Sequence, residues 1–282
     1  MSSFQTLISA SQLLALEREH AALLIVECSF DLADTDAGER FYLEGHIPGA
    51  RYLHLDRDLS GAKTGTTGRH PLPDREAFAA KLRAIGLNQR SQVVAYDRQG
   101  GPYAARVWWM LRWLGLANVA VLDGGLAAWT AAGGPLSQHL PPEPQAGDFT
   151  PGPALTQQID ADTLLKRLGQ VRLIDARAAE RFRGEVEPLD ARAGHIPGAS
   201  NRFFKDNLDT SGAFKPAAQL RSEFETVLGG MTANNTVQQC GSGVTACHNL
   251  LAMVHAGLGE SALYPGSWSE WSGDPARPCA KG

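Results

Sequence analysis

Gly45-His46-Ile47-Pro48-Gly49-Ala50 returns unchanged as Gly194-His195-Ile196-Pro197-Gly198-Ala199, and the rest of the chain lines up around that match. Ser9-Ala10-Ser11-Gln12-Leu13-Leu14 lies over Asp160-Ala161-Asp162-Thr163-Leu164-Leu165, and Val94-Ala95-Tyr96-Asp97 over Val237-Gln238-Gln239-Cys240. Val121-Leu122-Asp123-Gly124 with Trp129 lies over Leu263-Tyr264-Pro265-Gly266 with Trp271. The offsets of the four pairs, 151, 149, 143 and 142, drift only slightly, so one unit has been written twice with small insertions. Whatever fold is assigned to one half must therefore serve the other.

Each copy alternates short β-branched runs with helical patterns. Leu23 to Cys28, Val93 to Tyr96, Val119 to Leu122 and Val171 to Ile174 read as strands, and Tyr103 to Leu114 reads as a helix. Continuous apolar strands between helices point to an α/β unit with a mostly parallel central sheet flanked by helices. Gly133-Gly134-Pro135 through Pro141-Pro142-Glu143-Pro144 to Gly152-Pro153 is rich in breakers and poor in apolar period. The expected division is a first domain at 1–136, a linker at 137–153 and a second domain at 154–282.

Chemistry concentrates in the second copy. Asn235 to Gln239 reads as a strand, Cys240-Gly241-Ser242-Gly243-Val244-Thr245 as a small-residue loop, and Ala246 to Gly257 as the following helix. Glycines let the loop curl so that successive amides of residues 241–245 converge on the sulfur, and a helix N-terminus adds about half a positive charge. Both effects favour a thiolate over a thiol. The structural alternative, a buried inert cysteine, fits Cys28, Cys247 and Cys279 better, since none of them opens such a loop. In the first copy Asp97 stands where Cys240 does, so that copy is expected to be catalytically silent. His46 and His195 recur in both copies inside a Pro-Gly turn, which suits a hydrogen bond tying that turn rather than catalysis.

The 282 residues are 43% hydrophobic and 20% charged, with a net charge of -4 and no long basic run, which gives no support to nucleic acid or a membrane as partner. No apolar stretch approaches the roughly 18 residues needed to span a bilayer, and Met1 to Leu16 lack the basic start of a secretory leader. Four cysteines without a close pair suit a reducing compartment. The expectation is a cytoplasmic protein with no metal and no cofactor. Cys240, Cys247 and His248 are not spaced as a zinc site.

The tandem repeat, both copies of the hexapeptide, the Cys240-Gly241-Ser242-Gly243-Val244-Thr245 loop and Gly266-Ser267-Trp268-Ser269-Glu270-Trp271 together resemble the rhodanese-type sulfurtransferases over nearly the whole chain. The resemblance implies ping-pong covalent catalysis in which Cys240 takes sulfane sulfur from a small donor, holds it as a persulfide, and passes it to a nucleophilic acceptor: thioredoxin, glutathione or another thiol, or cyanide. The glycine-serine-glycine form of the loop is similar to that of the family's 3-mercaptopyruvate enzymes. There the serine, here Ser242, joins a histidine and an aspartate from the first domain, by position His70 and Asp56. The other reading of His70 and Asp56 is as surface loop residues.

Two arginines hold the donor's carboxylate in those relatives, and Arg181 in Arg181-Phe182-Arg183-Gly184 matches the first. A plain salt bridge is the alternative. Where the second is expected the chain has Asp190, with Arg192 two positions on as the candidate replacement. That departure keeps thiosulfate open as the donor. A cysteine phosphatase is the remote alternative, although the position six after Cys240, where such an enzyme needs arginine, is Ala246. A non-catalytic sulfur-relay module is the last.

Overall fold

A computed structural model describes residues 3–19 and 22–282. Met1 and Ser2, the start of the first expected domain, lie outside the described residues, as do His20 and Ala21. The chain divides into two compact units.

The first unit runs β1 (Leu7–Ile8), α1 (Ala10–Arg18), β2 (Leu23–Glu27), α2 (Ala37–Glu44), β3 (Arg51–Tyr52), α3 (Arg75–Ala84), β4 (Gln92–Tyr96), α4 (Pro102–Trp113), β5 (Val119–Leu122) and α5 (Gly125–Ala131). Among the described residues its strands form one parallel five-stranded sheet in the order β1-β5-β4-β2-β3. β2 and β4 pair along their whole length, Leu23 with Gln92 through Glu27 with Tyr96, and as central strands buried on both faces they carry the apolar stretches Leu23 to Val26 and Val93 to Tyr96. Leu13, Ile25, Val94, Tyr96, Leu122 and Trp129 fill the core. α4 starts with Pro102 in its first turn, where a missing N–H costs nothing, and is buried almost end to end.

The second unit repeats the scheme with β6 (Gln157–Gln158), α6 (Ala161–Lys166), β7 (Arg172–Asp175), α7 (Ala179–Arg183), β8 (Ser200–Asn201), α8 (Ala217–Leu228), β9 (Thr236–Gln239), α9 (Ala246–His255), β10 (Ala262–Leu263) and α10 (Ser267–Trp271). Its strand order, β6-β10-β9-β7-β8, is that of the first sheet, and every pairing is parallel. The core holds Leu164, Leu173, Val237, Tyr264, Trp268 and Trp271.

Side-chain devices repeat as well. His46 Nδ1 donates to the Tyr42 carbonyl at 2.7 Å and His195 Nδ1 to the Phe182 carbonyl at 2.8 Å, and each ring stacks on the aromatic ring of that same residue. Trp129 and Trp271 each donate from Nε1 to a proline carbonyl, that of Pro135 and of Pro278, both at 2.8 Å.

Two features of the division are not legible in the repeat. Residues 61–72 belong to the second unit and 210–214 to the first, so each unit takes in a short segment from the other half of the sequence. The segment expected to be a linker is packed on the first unit: Arg51 donates to the carbonyls of Pro141 and Pro142, the Gly147 amide to that of Arg83, and Phe149 is buried.

Candidate functional site

β7 and β9 are neighbours, but the chain leaves β7 towards β8 on one side and returns through α8 to β9 on the other. Such a switch of direction opens a crevice beyond the strand C-termini, the usual ligand position in an open parallel sheet. Cys240 follows the last residue of β9 and stands at that crevice.

The loop from Cys240 to Thr245 is held by the turn that opens α10. The Cys240 amide donates to Ser267 Oγ at 3.1 Å, and the Trp268 and Ser269 amides donate to the carbonyls of Cys240 and Gly241, both at 2.9 Å. Ser267 adopts a positive φ of 53° to make these contacts. Gly243 has φ +75°, and a side chain there would collide with the Pro265 carbonyl, so only glycine lets the loop turn at this point. Among the described residues the amides of Gly241, Ser242, Val244 and Thr245 donate to no main-chain carbonyl outside the regular helices and strands.

The equivalent loop of the first unit is closed by its own side chain. Asp97 Oδ1 accepts from the Gln99 and Gly101 amides at 2.9 and 2.8 Å, and Oδ2 from those of Tyr103 and Ala104 at 2.9 and 3.1 Å. Burial pushes this carboxyl above the usual range while the four amides pull it down.

His70 Nδ1 lies 2.7 Å from Ser242 Oγ, and both side chains are buried. Residues 61–72, which carry His70, lie in the second unit, not the first as the linear order implies. Asp56 lies in the first unit, where His54 Nδ1 accepts from its amide at 3.1 Å.

Arg181 is brought to the loop and Arg192 is not. A methyl placed on Gly241 would sit 3.5 Å from Arg181 Nη1. Arg192 instead donates to the carbonyls of Trp271, Ser272, Asp274 and Arg277 at 2.5 to 3.1 Å, which ties the C-terminal segment. With four of its five N–H donors spent on these carbonyls, Arg192 is held at the C-terminal segment rather than at Gly241.

Sequence reading missed Arg69. Its Nη2 would lie 2.9 Å from a methyl on Gly241, closer than Arg181, and its amide donates to Ser269 Oγ at 3.0 Å. The available signal was adjacency to His70: a segment that delivers one side chain to the loop delivers its neighbour nearby. Asp190 bridges the two cations, with Oδ1 on Arg69 and Oδ2 at 3.0 Å from Arg181 Nη2. Burial pushes the Asp190 carboxyl up from the usual range, against the pull of both guanidinium groups.

None of the other cysteines opens the loop, although Cys247 touches it. Burial, with Asp97 and Glu27 beside it, holds the Cys28 thiol well above the ordinary range. Cys247 is buried with its thiol donating to the Gly243 carbonyl, and Cys279 lies in the C-terminal segment. Among the described residues no group of three or more His, Cys, Asp or Glu is placed to hold a metal ion, and no helix is long and apolar enough to cross a membrane.

Comparison with known proteins agrees with this geometry. The rhodanese-like domain matches twice, at residues 9–132 and 160–274. A probable 3-mercaptopyruvate sulfurtransferase of Pseudomonas aeruginosa is 52% identical over 289 residues, covering 100% of both chains. The thiosulfate sulfurtransferase of Bos taurus is 33% identical, covering 88% of this chain and 84% of that one. Among solved structures, the 3-mercaptopyruvate sulfurtransferase from Leishmania major superposes with a TM-score of 0.85 at 33% identity, covering 95% of this chain and 74% of that one. With a duplicated sheet, a cysteine loop at its switch point and relatives of this kind over its full length, the chain belongs to the rhodanese family of sulfurtransferases.

Proposed function

We propose that the protein moves sulfane sulfur from a small anionic donor, 3-mercaptopyruvate in preference to thiosulfate, through a persulfide on Cys240 to a thiol or cyanide acceptor. The Cys240 thiolate attacks the donor sulfur and forms an S–S bond. The C–S bond of the donor breaks, its electron pair becomes the enolate of pyruvate, and the proton carried by the donor thiol ends on carbon. The acceptor then attacks the outer sulfur, breaks the S–S bond and regenerates the thiolate. Main-chain amides of Gly241 to Thr245 favour the anionic sulfur, and Arg181 with Arg69 offers guanidinium N–H groups to the donor's carboxylate.

The observation that carries the choice of donor is the 2.7 Å contact between His70 and Ser242, two residues after the cysteine. An enolate leaving group needs a proton moved to carbon, whereas sulfite leaving thiosulfate needs none, so a hydroxyl-imidazole pair serves the first reaction and is idle in the second. Thiosulfate is the second reading, because the guanidinium N–H groups beside the loop can bond to the oxygens of either anion.

The test compares kcat/KM for the two donors in native protein and Ser242→Ala. The expected result is higher kcat/KM for 3-mercaptopyruvate, with a loss on that donor of about 100-fold in the variant and a much smaller loss on thiosulfate. Equal losses, or a native preference for thiosulfate, would overturn the assignment of donor.

A further inference from the structure

The two guanidinium groups beside Gly241 are the exposed end of a line of alternating charges. Arg69 pairs with Asp190, Asp190 with Arg181 at 3.0 Å, Arg181 with Glu187 at 2.6 Å, Glu187 with Arg177 at 3.3 Å, and Arg177 with Asp175 at 2.7 Å. Three guanidinium groups therefore stand against three carboxylates, and the line is neutral as a whole. Asp175, Glu187 and Asp190 are nearly inaccessible, whereas the Arg69 side chain is 25% exposed and lines an open cleft of about 350 Å³ together with Lys63, Thr64, Thr67, Asp190 and Ser269.

The bridging carboxylate takes one end of each cation. Asp190 holds Arg69 through Nη1 and Arg181 through Nη2, while Arg69 Nη2 and Arg181 Nη1 are the nitrogens nearest the space over Gly241. The Nε groups of both arginines are buried without a hydrogen-bond partner among the described residues. The pair thus keeps directional donors for an anion while much of its net charge is cancelled. Hydrogen-bond geometry and charge separate here: the donors suit a carboxylate, and the cancelled charge penalises each further negative charge on the ligand.

We infer that Asp190 sets the charge selectivity of the donor site, admitting a monoanionic α-keto acid and disfavouring a dianion such as thiosulfate. The inference rests on the proposal that Cys240 receives sulfur beside this pair. Each unit of donor charge feels the Asp190 carboxylate once, so a dianion is penalised once more than a monoanion, by about tenfold at the effective dielectric of a partly buried site.

Asp190→Asn keeps the shape and removes the charge, and Asp190→Glu keeps the charge. The Asn variant is expected to lower the ratio of kcat/KM for 3-mercaptopyruvate to that for thiosulfate by about tenfold, and the Glu variant to leave it near the native value. A merely structural Asp190 would change both donors alike and leave the ratio fixed.

A second readout needs no turnover: the alkylation rate of Cys240, followed on its own peptide, with anionic iodoacetate and with neutral iodoacetamide. The iodoacetate-to-iodoacetamide ratio should rise several-fold in the Asn variant, while the neutral reagent reports whether the loop is intact. If native protein turns over neither donor, the proposed function fails and this ratio still decides the role of Asp190. An unchanged ratio in Asp190→Asn by both readouts, or an equal change in Asp190→Glu, overturns the inference.

Discussion

Single arginines of this chain divide by where their donors go. Arg192 gives four hydrogen bonds to carbonyls of residues 271–277, and Arg181 keeps Nη1 near the cysteine loop. Arg192→Ala should therefore lower unfolding stability by about 2 kcal/mol and leave the KM for the donor within about twofold, because charge-assisted bonds to partly buried carbonyls are lost while nothing at Gly241 moves. Thermal melts and steady-state kinetics check this; a large rise in KM with an unchanged melt would return Arg192 to the donor site. The loop that carries Cys240 and Ser242 was legible as a small-residue run between a strand and a helix, and Arg181 was singled out only through the family resemblance. Arg69 was not legible, and Asp190 was legible only as a departure from an expected arginine, since their pairing comes from residues 61–72, which belong to the second unit. Linear spacing carries no sign of that membership.

The elements named from apolar periodicity were legible to within a residue or two. The strands expected from Leu23, Val93, Val119 and Val171 are β2, β4, β5 and β7, and the helices expected from Tyr103 and Ala246 are α4 and α9. The two-residue strands β1, β3, β6, β8 and β10 were not, because two residues give no period to read. α8 illustrates how an element is anchored by charge as well as by its apolar face of Leu220, Phe224 and Leu228. Glu223 accepts from Arg202 at 2.5 Å, Gln219 at 2.8 Å and Lys215 at 3.1 Å. Burial alone would push that carboxyl up, but these three partners outweigh it and hold it at about 2, against an ordinary 4.5. A carboxyl depressed by folding contributes stability that is complete above about pH 4.5 and is lost as the pH falls towards about 2. Partial exposure screens the effect to about 1–2 kcal/mol. The stability gap between native protein and Glu223→Gln, measured by denaturant titration, should shrink by that amount between about pH 5 and about pH 2.5; a gap that stays constant across the window would refute the coupling.

Duplication governs the whole molecule. Both units use one strand order, one histidine-tied turn and one tryptophan-to-proline bond, and they part company at the loop after their fourth strand. In the first unit four amides close on the Asp97 carboxylate and the loop is finished; in the second the loop begins with a sulfur and is flanked by Ser242, His70, Arg69 and Arg181. In the proposed reaction sulfur passes through residue 240 and no other. The most direct test is the mass of each cysteine-bearing peptide after brief treatment of the protein with 3-mercaptopyruvate in the absence of acceptor. One added sulfur is expected on the peptide containing Cys240, removable by a thiol or cyanide, and none anywhere in Cys240→Ser. A native Cys240 peptide of unchanged mass, or added sulfur on Cys28, Cys247 or Cys279 instead, would contradict it.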